Sequence, residues 1–260
     1  SGLRETLSAG WEMIYADSLL KNYYLEYGPI DISNKIIQRD QLQEFADDYW
    51  IINKREYAGK DEITIRAALP SEEQFDTIPT RTISKPAIYE FKQGWLLGPS
   101  GPGFTWDNRP IAETVGLPSE DYDRVATGLA KSATSNNIRW VNDILREKNQ
   151  VFNFESRVDI AVSIVPHWNN YYHWMIECLP RLRYVAQYEK FTGRRPTIFI
   201  PEDQSDWMKE SLSQINLDLE FRPLTERRIY SDRLLVPSYP DPTPSDIEWL
   251  RQIFLNQNEM

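Results

Sequence analysis

One cysteine, Cys178, in a chain of 260 residues excludes an intramolecular disulfide and a cysteine-rich zinc site, and allows a reducing compartment. Histidine is almost as scarce, with His167 and His173 the only two. Long apolar runs are missing as well. The longest nearly uninterrupted one, Ile160 to Pro166, falls far short of the roughly 20 residues of a membrane span. Ser1 to Gly10 carries Arg4 and Glu5 without the apolar centre of a signal peptide. No Asn-x-Ser/Thr acceptor occurs, so nothing points to a glycosylated, secreted protein and a cytoplasmic one is expected. Positive charge is in deficit, 29 Lys and Arg against 39 Asp and Glu for a net charge of −10. That balance argues against nucleic acid as a partner, which needs a basic face to displace counterions. With 11 Gly and 17 Pro, both scattered, collagen-like and low-complexity chains are excluded too.

What is present is apolar and aromatic. Residues of the hydrophobic class make up 41%, and 9 Trp, 14 Tyr and 10 Phe are enough to build a substantial core in one large or two small domains. Residues 1–80 read as an irregular N-terminal region, and the short aromatic clusters of residues 1–60 are of a kind that suits a homodimer contact. Glu62–Arg66 and Ala87–Phe91 read as extended pieces separated by prolines 70, 79 and 86. Gln93–Leu97 reads as a strand entering a Gly/Pro-rich stretch, Gly98–Gly103, which predicts a surface turn.

From Val158 onward the pattern is regular. Val158–Val165 is almost wholly apolar, as expected of a strand buried on both faces. Asn169–Phe191 predicts a long helix interrupted near Cys178 by Pro180, which lacks an N–H and crowds the preceding turn. Thr197–Pro201 predicts a strand and Asp203–Ile215 an amphipathic helix with Trp207, Met208, Leu212 and Ile215 on one face. Strands are expected at Leu219–Leu224 and Arg233–Val236, then a helix opening at Pro244 with Ile247, Leu250, Ile253 and Phe254 at helical spacing. Alternating strands and helices predict an α/β domain over residues 81–260, a Rossmann-like parallel sheet with covering helices. Neither G-x-G-x-x-G after a strand nor G-x-x-x-x-G-K-[ST] occurs, so no dinucleotide or P-loop site is supported.

Open α/β sheets bind ligands beyond the carboxyl ends of their strands. Pro166–Arg181 occupies that position after the first apolar strand and contains both histidines. His173 and Glu177 are four apart, so a helix places them on one face, where the carboxylate fixes the imidazole tautomer and equips His173 to take a proton. The plainer reading has Tyr172, Trp174, Ile176 and Leu179 in the core, with His173 and Glu177 merely satisfying each other. The pair also offers two metal ligands, but no third is evident and no metal is expected. Cys178, between Ile176-Glu177 and Leu179, reads as a small buried apolar group.

The run Asn170-Tyr171-Tyr172-His173-Trp174-Met175-Ile176-Glu177-Cys178-Leu179-Pro180-Arg181-Leu182 resembles the N-Y-x-H-W-x-x-E-x-L-P-R-L hallmark of glycosyltransferase family 61, whose microbial members are labelled capsular polysaccharide biosynthesis proteins. Asp232–Ser238 and Ile247–Arg251 resemble the strand and helix that follow it there, so the likeness covers residues 158–255 and fades over 80–120. The resemblance implies a GT-B architecture with inverting transfer of a sugar from a nucleotide donor to a glycan or glycolipid acceptor. No resident cofactor is implied, the nucleotide sugar being a co-substrate. Segments resembling the family's "R-x-Y-x-S-R" and "H-G-A-G-L-x-N" are not in the sequence, so residues 81–260 are expected to be the acceptor-side, N-terminal half of such an enzyme.

On that resemblance His173 is the candidate base and Glu177 orients it. Arg181 meets phosphate or sugar, Asn170 bonds a hydroxyl, and Trp168 and Tyr172 line the substrate. Two other readings stay open: a non-catalytic carbohydrate-binding or scaffolding module, and a hydrolase using His173 and Glu177 with a second acidic group or a nucleophile that the sequence does not clearly nominate. Asp121-Tyr122-Asp123 matches the D-x-D metal motif of the other glycosyltransferase architecture, but Ser119-Glu120-Asp121 reads as a helix start. Arg194-Arg195 and Arg227-Arg228 read as solvated turn charges that could touch an anionic membrane surface.

Overall fold

The computed structural model describes residues 37, 41–51, 62–66, 80–84, 86–114, 154–166, 170–238 and 243–255. Its strands are β1 (Asp48–Ile51), β2 (Glu62–Arg66), β3 (Thr80–Ser84), β4 (Ala87–Leu97), β5 (Gly103–Thr105), β6 (Ser156–Ser163), β7 (Thr197–Ile200), β8 (Glu220–Pro223) and β9 (Arg228–Pro237). Its α-helices are α1 (Leu42–Phe45), α2 (Leu179–Thr192), α3 (Asp206–Gln214) and α4 (Pro244–Leu255). Just before α2, His173–Cys178 forms a π-helical segment, and Ala112–Thr114 is a single 3-10 turn.

The fold is mixed α/β, with a seven-stranded sheet in the order β1-β4-β9-β6-β7-β8 and β5 beside β4. Four strands are parallel, β9-β6-β7-β8, as the alternating pattern predicts. The rest corrects the all-parallel expectation: β4 runs antiparallel to β9 and carries β1 and β5, also antiparallel, on its far edge. Thus β1, from the region before residue 81, belongs to the same sheet as the later strands. β2 and β3 form a separate antiparallel pair.

Burial explains the continuous apolar runs. Ile88, Ile160, Val162, Ile164, Ile198, Ile200 and Leu235 face a core completed by α2, α3 and α4 through Leu179, Leu182, Val185, Met208 and Leu250. Their sequence neighbours Ala87, Tyr89, Ala161, Phe199, Leu234 and Val236 face a second core with Ile37, Leu42, Ile111 and Leu224. All three long helices therefore cover one face, and segments from the first half of the chain cover the other. A strand buried on both faces needs apolar residues at consecutive positions, which is what Ile160–Ile164 provides.

The alternation slips by one at a common row. Phe91 and Leu96 on β4, and Ile229 and Leu234 on β9, each five apart, lie in the same core, and Val158 packs there beside Ala161. The ladders skip Gln93 opposite Asp232 and Asp232 opposite Asp159, while the pairs on either side keep register. Gln93 has a left-handed backbone, φ 59°. The three strands thus turn together at this row, and the turn after β4 approaches β6. A Cβ on Gly101, whose φ is 78°, would sit 2.1 Å from Ser163 Oγ. Gly98–Ser100 is the predicted turn, with Pro99 exposed, but Gly101 and Pro102 are buried, so the stretch then packs against the end of β6, where glycine has no Cβ to clash.

Candidate functional site

From β6 the chain passes to β7 and β8 on one side, and β9 returns on the other side of β6. Such a reversal of strand order opens a crevice beyond the carboxyl ends of the two strands. The segment after Ser163 leaves the carboxyl end of β6, with Ile164 in the helical core and Pro166 buried. His167, Trp168 and Asn169 lie outside the described residues.

Asn170 starts the helix that follows. Its Oδ1 accepts the backbone N–H of His173 at 3.0 Å, a side-chain cap on the first turn. The expected hydroxyl contact of Asn170 would use its amide nitrogen or the second lone pair of Oδ1. Next comes the π segment, in which Leu179 N–H donates to Trp174 O, five residues back. Pro180 sits in the first turn of α2, where its missing N–H matters least. The predicted interruption at Cys178 is this change from a π to an α repeat.

Two stripes leave the helix in different directions. Trp174 is fully buried and donates its Nε1–H to Ser211 Oγ on α3 at 2.8 Å. One turn earlier Tyr171 stands edge-on to Trp207 of the same helix, ring centroids 5.6 Å apart. The other stripe runs His173, Glu177, Arg181, Tyr184 and Tyr188. Tyr184 Oη donates to Asp246 Oδ2 on α4 at 3.0 Å, and Tyr188 Oη donates to Glu90 Oε2 on β4 at 2.6 Å. The later part of this stripe therefore faces α4 and the β4 side of the sheet.

His173 Nδ1 and Glu177 Oε2 are 2.5 Å apart, with side-chain exposures of 25% and 15%. Four apart on one helical segment, the two side chains leave on the same face and meet. The carboxylate engages Nδ1 and so fixes the tautomer and orientation of the ring. Arg181 is 2% exposed, so no phosphate or sugar reaches it from solvent in this arrangement. The interior position of Cys178 pushes its thiol up to about 12; the nearby Arg181 charge opposes the rise and Glu177 adds to it. Cys178 is thus the inert apolar group the sequence predicts, not a nucleophile.

Of the other expected residues, Trp174 and Leu179 are core, but Tyr172 is 57% exposed, with its ring edge-on to His173 at 5.4 Å. The plainer reading that buries Tyr172 is corrected: the helix starts at the end of the sheet, and its first turn projects past the core. Arg194 and Arg195 are not simply solvated. Arg194 lies 3.4 Å from the buried Glu90, and Arg195 forks onto Asp218 at 2.6 and 3.1 Å. Asp121 and Asp123 lie outside the described residues. Among the described residues no group of three or more His, Cys, Asp or Glu could hold a metal, and no helix is long and apolar enough to cross a membrane.

Sequence reasoning passed over Tyr171, Trp207 and Gly101. Trp207 reads from its spacing as one more core residue of an amphipathic helix. Its position one turn before Ser211 is what brings it to the rim. Comparison of the chain with family models, with curated proteins and with solved structures gives no match.

Proposed function

We propose that this chain is the acceptor-side part of an inverting glycosyltransferase that uses a nucleotide sugar to extend a surface polysaccharide, glycan or glycolipid. The observation that carries the reading is the His173–Glu177 pair, 2.5 Å apart, on a π turn beside the reversal of strand order. Counted from β6, the order β8-β7-β6-β9 is third-second-first-fourth, the reversal of a doubly wound, Rossmann-like sheet although β8 and β9 are joined without a helix, and it supports a GT-B half. The motif likeness over Asn170–Leu182 supports it further.

Inversion requires a base that removes the acceptor hydroxyl proton as its oxygen attacks the anomeric carbon and the nucleoside diphosphate departs. Neutral His173, with Nδ1–H donated to Glu177, takes that proton on Nε2, and the growing imidazolium charge is balanced by the carboxylate. Asn170 and Tyr172, both exposed beside the pair, are placed for hydroxyl hydrogen bonds. The chemistry fits the cytoplasm, where nucleotide sugars are made, at or near a membrane if the acceptor is a lipid.

The test is release of nucleoside diphosphate from a panel of nucleotide sugars, with saccharide acceptors, by this chain and by any longer polypeptide that contains it. Saccharide-dependent release should fall by about 10²–10⁴-fold in His173→Ala. No saccharide-dependent release with any donor overturns the reading. A non-catalytic carbohydrate-binding module keeps the aromatic rim but gives the His173–Glu177 pair no task, and predicts saccharide binding without release.

A further inference from the structure

At the carboxyl end of the parallel strands the molecule leaves aromatic side chains in water. Tyr171 is 58% exposed and Tyr172 57%, consecutive residues in the first turn of the helix that carries His173. Neither belongs to a core, whereas Trp174, two residues on, is fully buried. Tyr171 is nevertheless held in place. It meets Trp207 edge-to-face at an interplanar angle of 77°, and Trp207 is itself packed against the helical core. The two helices are locked in register one turn away by the Trp174–Ser211 hydrogen bond. An edge-to-face pair covers at most one broad ring face, and Tyr171, at 58% exposure, keeps ring surface open to solvent while it is held in place. Tyr172 is edge-on to the His173 imidazole in the same manner, at 83°.

Flat, fixed, half-open aromatic faces beside hydroxyl and amide groups suit a ligand that has one apolar C–H face and a rim of hydroxyls. A pyranose ring has that character. Lipid tails or an apolar helix would instead need a continuous apolar surface, and here Asn170 and Asp206 flank the rings. We propose that Tyr171 and Trp207 form a stacking platform for a pyranose ring of the acceptor, with Tyr172 holding the next sugar unit, whose hydroxyl faces His173. The assignment rests on the transferase reading for the word acceptor; as a saccharide platform it stands apart from it.

Saturation-transfer difference NMR and calorimetry on the 260-residue chain test this with cellobiose, maltose, chitobiose and galactobiose as probes. Binding of at least one disaccharide at millimolar concentration is expected. Tyr171→Ala and Trp207→Ala should each weaken it about tenfold, with Trp207→Phe close to the wild type. Tyr171 is exposed enough that its removal leaves the fold intact, which keeps the test sound should Trp207→Ala destabilise α3. Trp106→Ala removes another exposed tryptophan, edge-on to Tyr230 on a different part of the sheet, and should change nothing. Disaccharide binding that is indifferent to Tyr171→Ala and Trp207→Phe, or equally weakened by Trp106→Ala, overturns the platform and leaves the transferase reading standing. Platform-dependent binding with no nucleotide-sugar turnover overturns the transferase and keeps the platform. Absence of binding by all four probes overturns the platform outright.

Discussion

Glu177 gives the His173 ring a fixed tautomer and a counter-charge through one contact of 2.5 Å, and these two effects separate by substitution. In Glu177→Gln the amide oxygen still accepts from Nδ1–H, but the negative charge that balances a protonated ring is gone. Saccharide-dependent turnover should fall by roughly 10²-fold or more while disaccharide binding is unchanged. A variant that keeps its turnover would reduce the pair to a structural contact. Next along the chain, Cys178 supplies a probe of packing. Its thiol is pushed up to about 12 by burial, so at neutral pH almost none of it is thiolate, the reactive form. A dithiobenzoate reagent should leave the native chain untouched and label one thiol in denaturant. Labelling of the native chain at the rate of a free cysteine would show that the helix does not stay closed over β6.

At the scale of the element, the π segment is the device that sets the site. The bond from Leu179 N–H to Trp174 O lets the helix enter Pro180 without a clash against a carbonyl four residues back. Pro180→Ala restores the N–H and allows an α repeat from Tyr171 onward. Stability to denaturant should stay about equal, because Pro180 sits in the first turn of α2, where proline is tolerated. Turnover should nonetheless fall, since the change of repeat alters the direction in which the His173–Glu177 pair leaves the helix ahead of α2. Undiminished turnover would show that the π turn does not set the geometry. Pro180 makes this break legible in the sequence, but the choice of a π turn over a kink depends on Trp174 reaching Ser211 of α3, a contact 37 residues away. The same holds for the sheet. The sequence splits β4 into Ala87–Phe91 and Gln93–Leu97 and begins β9 at Arg233, because Lys92, Gln93 and Asp232 interrupt the apolar alternation. Those polar residues mark the row where the strands turn together, not strand ends, so β9 extends back to Arg228. The His173–Glu177 pair was readable because its spacing is local. The Tyr171–Trp207 pair was not, because it joins two helices through tertiary packing.

At the scale of the whole molecule, Glu90 ties the sheet to its helical layer. Buried on β4, it takes Tyr188 Oη of α2 at 2.6 Å, pairs with Arg233 of the neighbouring strand β9, and lies 3.4 Å from Arg194 just beyond α2. Trp50 of β1 completes the cluster, edge-on to Tyr188 at 5.0 Å. A buried carboxylate is tolerable only with its donors in place, so this node joins the antiparallel and parallel parts of the sheet through one charge. Burial, and then the hydrogen bond to Glu90, push the Tyr188 hydroxyl up to about 12 from the ordinary value of about 10. Folding therefore holds this proton more tightly than the unfolded chain does. The stabilisation is complete below about pH 10 and is lost as the pH rises through about 12, with a total on the order of 2 kcal/mol. Tyr188→Phe removes the titration along with one hydrogen bond to the buried carboxylate. Its unfolding free energy at neutral pH should be lower by about 1–3 kcal/mol. Between pH 10 and 12 it should then fall less steeply than that of the wild type, so that the two denaturation curves converge. Curves that stay parallel across this range would mean that Tyr188 ionises as freely in the folded chain as in the unfolded one, and that Glu90 does not couple the helical layer to the sheet.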